Sequence, residues 1–314
     1  STMFLKHLIN PKPTIILFFV VFCVVFISIP LINYDFNTIF INSNTPSYLV
    51  FFLGLTLPFF QGLGLNNLVY EKNIIRKDNL VIGFVFILLG SSFYNTVDAW
   101  ISSFIMLFFF NFIMDSYQKD YPFSEYFNAA LLLSLISIYY PNTIYFAFLF
   151  MISGVNFSNN NWRVIFTILL GLITPYIFYF VFAYVSGSSF NIPDFSAFNL
   201  FDFSNLTLDY SPLNIWVGTL FLISLVSIIE LFRWLYKKSI RSRKSFLTIF
   251  WYFVISLLIA IYSGGDYFYF ALTPLAVIIG NYFVYSKSRK IANILFVILV
   301  ISSFYYKHLI AYNV

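Results

Sequence analysis

The chain has 314 residues, of which 61% are hydrophobic and 9% are charged, and its formal net charge is +5. A soluble domain carries roughly 25% charged residues, and a globule of this length cannot hide so much apolar surface because its outer layer must be polar. The composition therefore excludes a water-soluble globule and indicates an all-α, polytopic membrane protein. With Cys23 as the one cysteine and two histidines far apart in sequence, a disulfide framework and a histidine metal centre are both disfavoured.

Apolar segments follow one another along the whole chain, and about 20 residues suffice for one membrane span. We expect about eleven spans in a single integral membrane domain over residues 1–314. They are predicted at residues 13–33, 47–67, 80–94, 99–114, 126–139, 143–158, 164–186, 215–236, 246–263, 267–285 and 290–306.

Four consecutive predicted spans, between residues 80 and 158, are unusually short. At ~1.5 Å per residue they reach about 21–24 Å, whereas the hydrocarbon core is ~30 Å thick. Such helices must thin the bilayer, extend into polar flanks or be shielded by longer neighbours.

The basic residues predict the orientation. The first span follows a basic start and has no small-residue cleavage site, so it is expected to be retained rather than removed as a signal peptide. If the N-terminus is cytoplasmic, 16 of the 17 lysines and arginines fall on the inner side, with Lys307 alone outside. The positive-inside rule favours this asymmetry and predicts a cytoplasmic N-terminus and an external C-terminus.

The same topology collects acidic residues on the outer face, with Asp98 at the tip of an outer hairpin and Asp266 in a Gly-Gly-Asp turn. The outer acids are Asp35, Asp98, Asp194, Asp202, Asp209 and Asp266. An electronegative face suits a divalent cation, or a carboxylate acting as general base. The alternative is that these aspartates merely cap helices and keep the outer loops soluble.

Two loops have features of their own. Residues 187–214 form a long outer loop in which Phe195, Phe198 and Phe201 recur at helical spacing, which predicts a short helix lying on the membrane surface. The basic inner loop 232–244 is expected to fix the topology and to touch anionic lipid headgroups, so membrane lipids are expected partners and nucleic acid is not.

Some stretches resemble known families. "INYDFNTIF" around Asp35, "YYPNTIYFAFLF" and "YFYFALTPLAVIIG" resemble the corresponding parts of GT-C-type polyprenyl-linked glycosyltransferases. "LGLNNLVYEKNIIRKDNL" and "NWRVIFTILLGLITPY" are similar to an uncharacterised family of bacterial multi-pass inner-membrane proteins, over most of the chain. The second resemblance implies a bacterial inner-membrane location without implying an activity.

The GT-C resemblance implies a GT-C-like fold and a polyprenyl-phosphate-linked sugar donor as partner. Asp35 would then activate the acceptor as a base, and Asp98 and Asp266 would contact substrate or a metal ion. Since one lysine is expected on the outer face, a divalent cation bridging the aspartates would neutralise the lipid phosphate.

Three functions stay open at this point. The first is a GT-C-like transferase that handles a lipid-linked sugar at the outer face. The second is a non-catalytic membrane subunit of an envelope or secretion complex. The third is a lipid flippase or permease, although the predicted spans lack the midplane charges that ion-coupled transporters usually need.

Overall fold

The computed structural model describes residues 4–33, 47–90, 97–195 and 212–312. Within these ranges the regular structure is helical, apart from an isolated antiparallel bridge between Ile9 and Asn79. The all-α prediction is confirmed for the described residues.

The helices follow the apolar segments of the sequence and are labelled in chain order. They are α1 (Phe4–Leu8), α2 (Pro13–Asn33), α3 (Ser47–Glu71), α4 (Val81–Gly90), α5 (Val97–Asp115), α6 (Phe123–Tyr139), α7 (Phe148–Phe157), α8 (Trp162–Ser186), α9 (Pro212–Leu235), α10 (Ile240–Ser263), α11 (Tyr269–Tyr285) and α12 (Arg289–Tyr312). Short 3₁₀ helices at Pro141–Ala147 and Gly265–Phe268 precede α7 and α11.

Four of the described helices are long and apolar enough to cross a membrane: α8, α9, α10 and the Arg289–Lys307 part of α12. The chain is therefore a membrane protein by the length and composition of its helices. Each predicted span overlaps a helix, but the total of eleven spans, the sides of the termini and a GT-C-like arrangement stay predictions.

The chain divides into two compact units, each built from separate stretches of sequence. Unit 1 comprises Ser1–Ile101, Asp202–Ser239 and Leu272–Val314, and unit 2 comprises Ser102–Phe201 and Ile240–Ala271. The predicted single domain over residues 1–314 stays a prediction, and each unit is described here by itself.

In unit 1, the short helix α4 is buried along its entire length of 10 residues. Its close packing depends on glycine: a Cβ on Gly83 would lie 2.9 Å from the carbonyl oxygen of Gly62 in α3, and a Cβ on Gly280 would lie 2.7 Å from a side-chain carbon of Ile82. Of the three possibilities for a short predicted span, shielding by neighbouring helices is the one that α4 adopts.

One end of unit 1 gathers several basic loops. The backbone N–H of Asn10 donates to the carbonyl of Asp78, and the N–H of Leu80 donates to the carbonyl of Leu8, which ties the N-terminal segment to the α3–α4 connection. The N–H of Arg76 donates to the Tyr285 hydroxyl at the end of α11. We call this the basic end of unit 1.

In unit 2, α6 and α8 pack closely because α8 has a glycine at the contact. A Cβ on Gly171 would lie 2.7 Å from the carbonyl oxygen of Phe127. The Ser134 hydroxyl of α6 donates to the Leu172 carbonyl in the turn before Pro175, where the proline weakens the backbone hydrogen bonding of α8. This hydrogen bond joins α6 to α8 in the turn that contains the proline.

The described start of the long outer loop is not helical. Gly187 ends α8 with φ +66°, a left-handed conformation that glycine adopts without strain. Residues 188–194 have no regular structure, Phe195 lies in a turn, and Phe198 and Phe201 lie outside the described residues. The predicted interfacial helix within 187–214 therefore stays a prediction.

Candidate functional site

The three aspartates singled out from the sequence are only partly described. Asp35 lies outside the described residues, two positions after the end of α2. Asp98 is helical in backbone, so it belongs to the first turn of α5 rather than to the tip of a hairpin. Asp266 lies in the 3₁₀ helix before α11. Because Asp98 belongs to unit 1 and Asp266 to unit 2, their convergence stays a prediction.

Metal-ligating side chains do not cluster in the part of the chain that the structure describes. No group of three or more His, Cys, Asp and Glu residues there could hold a metal ion. The predicted divalent cation would involve aspartates whose side chains are not described, so that prediction is untested.

Near the far end of α12 the structure buries a lysine, Lys307. The predicted span ended at residue 306 and left Lys307 outside, but the helix continues to Tyr312 and encloses this lysine. Lys307 is 0% exposed, and its Nζ has no hydrogen-bond partner among the described residues. At ~1.5 Å per residue, it stands about 27 Å along the helix from Arg289, close to the full depth of a hydrocarbon core.

The ammonium group of Lys307 rests on an aromatic ring. Its Nζ lies 3.8 Å from the ring centroid of Phe26 in α2. The Phe26 ring meets Phe304 edge-on at 4.7 Å, and the Phe304 ring in turn lies 5.6 Å from Phe22, so the ring under the ammonium group belongs to a cluster of phenylalanines. The lysine therefore has a cation–π partner inside a dry, aromatic environment.

Polar groups from α9 border the same stretch of α12. The indole Nε1 of Trp216 donates to the Ser303 hydroxyl at 3.1 Å, and the Trp216 ring stacks on Tyr306 at 5.2 Å. Ser303 precedes Lys307 by one helical turn and so shares its face. We call Lys307, Phe26, Ser303 and Trp216 the Lys307 site.

The energetics of this site favour an additional negative group. A desolvated cation–π contact contributes about 2 kcal/mol, whereas taking an ammonium group out of water costs several kcal/mol. No acid among the described residues forms an ion pair with Lys307, since the described pairs are Lys119 with Glu125 and Arg233 with Glu230. A charged Lys307 would therefore gain from a negative group placed beside it.

Sequence reasoning missed this site although a signal was present. The buried stripe of α12 runs through Ala292, Phe296, Leu299 and Ser303, and Lys307 continues it at the next i+4 position. The predicted span stopped before the first charged residue, so the continuation of the buried face to Lys307 was not recognised. Extending the helical period by one turn would have placed the lysine on the buried face.

The chain belongs to the family of unknown function DUF6427, whose model matches residues 3–313. This confirms the expected membership in an uncharacterised family. No curated protein and no solved structure matches the chain.

Proposed function

We propose that this DUF6427 member is a GT-C-like enzyme of the bacterial inner membrane that transfers a sugar from a polyprenyl-phosphate-linked donor at the outer face. The observation that carries the proposal is the fully buried Lys307 without a hydrogen-bond partner among the described residues. Without it, the outer face would lack a cation for a lipid phosphate.

The location of Lys307 favours a lipid-linked anion over a soluble one. The Phe26 ring lies under the ammonium group and packs against Phe304, and a small hydrated anion would have to shed its water to reach this buried lysine. A polyprenyl phosphate keeps its apolar chain in the bilayer and delivers its phosphate at the depth where the helix ends. The lysine can then form a charge-assisted hydrogen bond with a phosphate oxygen.

The proposed reaction uses one acid and one cation. The Asp35 carboxylate removes the proton from an acceptor hydroxyl, whose oxygen forms a bond to the anomeric carbon of the sugar. The bond between that carbon and the phosphate oxygen breaks, and the phosphate keeps the electron pair. Lys307 stabilises the charge that develops on this leaving group.

Asp35 is assigned this role because of its place in the chain. It follows α2 by two residues, and α2 carries the Phe26 ring beneath the Lys307 ammonium group. Asp98 and Asp266 are proposed as contacts to the sugar or to a divalent cation, by their predicted position on the outer face.

The proposal can be tested in cells that lack the gene. We expect the polyprenyl-linked sugar donor to accumulate in these cells, because its consumption is blocked, and to return to its normal level when the wild-type protein is restored. Asp35→Asn should insert into the membrane normally and leave the donor elevated. Mass spectrometry of extracted lipids measures the donor pool.

Asp194→Asn serves as the matched control, since Asp194 is another predicted outer acid outside the proposed site. It should restore the donor pool as the wild type does. An unchanged donor pool in the deletion cells would contradict the transferase function, and full restoration by Asp35→Asn would remove Asp35 as the base.

A non-catalytic subunit of an envelope or secretion complex is the second candidate, and the exposure of α8 favours it. In unit 2 this helix buries Val164, Gly171, Pro175 and Ala183 and leaves most of its other side chains exposed. Lipid or a partner helix would cover that surface. Purification from native membranes in mild detergent distinguishes the two: a second membrane protein present in stoichiometric amount supports the subunit.

A further inference from the structure

The basic end of unit 1 contains an organised group of lysines that the proposed reaction does not use. Four lysine ammonium groups from three separate loops stand over two aromatic rings, those of Trp234 and Tyr285. The lysines are Lys77, Lys237, Lys238 and Lys287. We call these four lysines and two rings the basic cluster.

Lys238 is the innermost member of the cluster. Its Nζ donates to the Oδ1 of the buried Asn281 at 2.9 Å and lies 4.4 Å from the Tyr285 ring centroid. Partial burial lowers the pKa of Lys238 to about 8. Lys77 stands over the same ring at 5.0 Å, so two cations from different loops share one aromatic platform.

Trp234 forms the second platform. Lys237 and Lys287 each place Nζ 4.1 Å from a Trp234 ring centroid. The indole Nε1 donates to Glu230 at 2.8 Å, which fixes the orientation of the ring. The two rings therefore hold the four ammonium groups in defined positions. Without these contacts, the lysine side chains would repel one another and spread apart in solvent.

Two acids near this end of unit 1 bond to groups outside the basic cluster or to the ring edge. Glu230 already accepts from the Trp234 indole and lies 3.7 Å from Arg233. Glu71 accepts from the side-chain amide of Asn67. The three connections that carry the four lysines contain more basic than acidic residues, since Asp78 is the one acid among them, so their formal charge is positive.

We propose that the basic cluster binds the anionic phosphodiester headgroup of a membrane lipid. The occupant is a lipid because Trp234 lies at the end of α9, a helix long and apolar enough to cross a membrane, and aromatic side chains at the ends of such helices meet headgroups. Tyr285 ends the shorter apolar helix α11 beside it. Lysine stems can lie along these rings while their ammonium groups reach the phosphate oxygens. Lys238 is the central contact, and Lys77 and Lys287 approach from the adjoining loops.

The test uses purified full-length protein in a neutral detergent, where no membrane surface charge contributes. Binding of short-chain phosphatidylglycerol, short-chain phosphatidylcholine and inorganic phosphate is measured by titration calorimetry. We expect phosphatidylglycerol to bind more tightly than the other two. Lys238→Met should weaken its binding about tenfold, the loss expected for one charge-assisted contact.

Lys290→Met is the matched control because Lys290 is an exposed lysine at the same end of unit 1. It should change the affinity by less than about twofold, since a charge outside the two aromatic platforms makes no direct contact. Lys238→Met should also unfold at the same temperature as the wild type or higher, because it removes a partly desolvated charge.

Three results would overturn the proposal. Wild-type affinity in Lys238→Met would remove Lys238 as a contact. An equal loss in Lys290→Met would indicate a diffuse field rather than a site. Equal affinity for inorganic phosphate would reassign the cluster to soluble phosphate compounds.

Discussion

The two ends of unit 1 differ in how far they bury lysine side chains. At the basic end, four lysines share two aromatic rings, and three of them are exposed to solvent. At the far end of α12, Lys307 is fully buried over the ring of Phe26 and has no hydrogen-bond partner among the described residues. Both arrangements rely on cation–π contacts, but only one retains access to water.

This difference separates binding at a surface from binding in a buried site. Exposed lysines keep most of their hydration, so each contributes little to the binding free energy. The basic cluster therefore depends on the number and arrangement of its lysines. A buried lysine has already lost its hydration, so one anion placed beside it gains a strong interaction. The basic end thus suits recognition of a headgroup, and the Lys307 site suits a leaving phosphate.

The largest effect is expected when the charge of Lys307 is reversed. Lys307→Glu should lower the free energy of unfolding by about 2 kcal/mol or more, because a carboxylate would meet the negative face of the Phe26 ring without water. Thermal unfolding in detergent measures the change. Lys307→Met should be at least as stable as the wild type, because it retains the length of the side chain and removes the desolvated charge. A strongly destabilised Lys307→Met would mean that the lysine is structural.

A second prediction concerns the sides on which the two ends lie. In a background in which the buried Cys23 is replaced by alanine, Ser288→Cys marks the basic end and Ser204→Cys marks the predicted outer loop. An impermeant thiol reagent added to intact membrane vesicles of known orientation should label the two cysteines from opposite sides. We expect at least about a tenfold difference in labelling, as the positive-inside rule implies. Labelling of both cysteines from the same side would show that the basic end and the predicted outer loop do not lie on opposite sides of the membrane.

A third prediction uses the pKa of Lys238, which burial lowers to about 8. Lys238 is mostly an ammonium group at pH 7 and mostly neutral at pH 9, so affinity for phosphatidylglycerol should fall about fivefold over this range. Tyr285, Asn281 and Lys77 are among the groups that face it. Calorimetry at the two pH values measures the change, and Lys238→Met should show a much flatter dependence.

The stability of the folded protein should change in the opposite direction. A lysine whose pKa is lowered by folding disfavours the folded state while it is charged, fully so below pH 8. This penalty is relieved as pH rises from about 8 towards the ordinary lysine value of 10.5. Relative to Lys238→Met, the wild type should therefore gain stability over that interval. A parallel pH dependence of unfolding in both proteins would show that Lys238 is not desolvated.

The smallest effect is expected from Tyr285→Phe. This change removes the hydroxyl that accepts from the Arg76 N–H but keeps the ring beneath Lys77 and Lys238. Affinity for phosphatidylglycerol should change by less than about twofold. Tyr285→Leu, which removes the ring as well, should weaken binding about threefold to fivefold, since a cation–π contact at an exposed site contributes roughly 0.5–1 kcal/mol. Equal effects of both changes would mean that the hydroxyl, not the ring, matters.

The class of fold could be predicted from the sequence because the apolar character of each segment is local and does not depend on the rest of the chain. All eleven predicted segments overlap helices. Polar residues of α3 take part in the packing: the Asn66 amide donates to the Asn79 carbonyl, and its Oδ1 accepts from the Gly83 N–H. Glu230 and Arg233, one helical turn apart near the end of α9, form an ion pair at 3.7 Å.

The division into two units could not be read from the sequence, because each unit combines distant stretches of chain. The position of Lys307 was missed for a related reason. Hydropathy treats a lysine as the end of a span, whereas the Phe26 ring of α2, nearly 300 residues earlier, makes burial of this lysine possible. Tertiary contacts of this kind leave no trace in a local window.

The basic cluster shows the same limit. The loop 232–244 was expected to contact headgroups as a whole, but Lys237 and Lys238 belong to the cluster in unit 1, whereas Arg241 stands over Tyr117 in unit 2. Charge counts predict that a loop is basic. They do not predict which lysines meet which rings.

The most direct test of the central claim is native mass spectrometry of the wild type, Lys307→Met and Lys238→Met, each purified from native membranes in mild detergent. We expect a phosphorylated polyprenyl lipid to remain bound to the wild type and to Lys238→Met, and to be absent from Lys307→Met while that protein stays folded. Equal retention of this lipid by Lys307→Met and the wild type would contradict the assignment of Lys307 to the lipid phosphate.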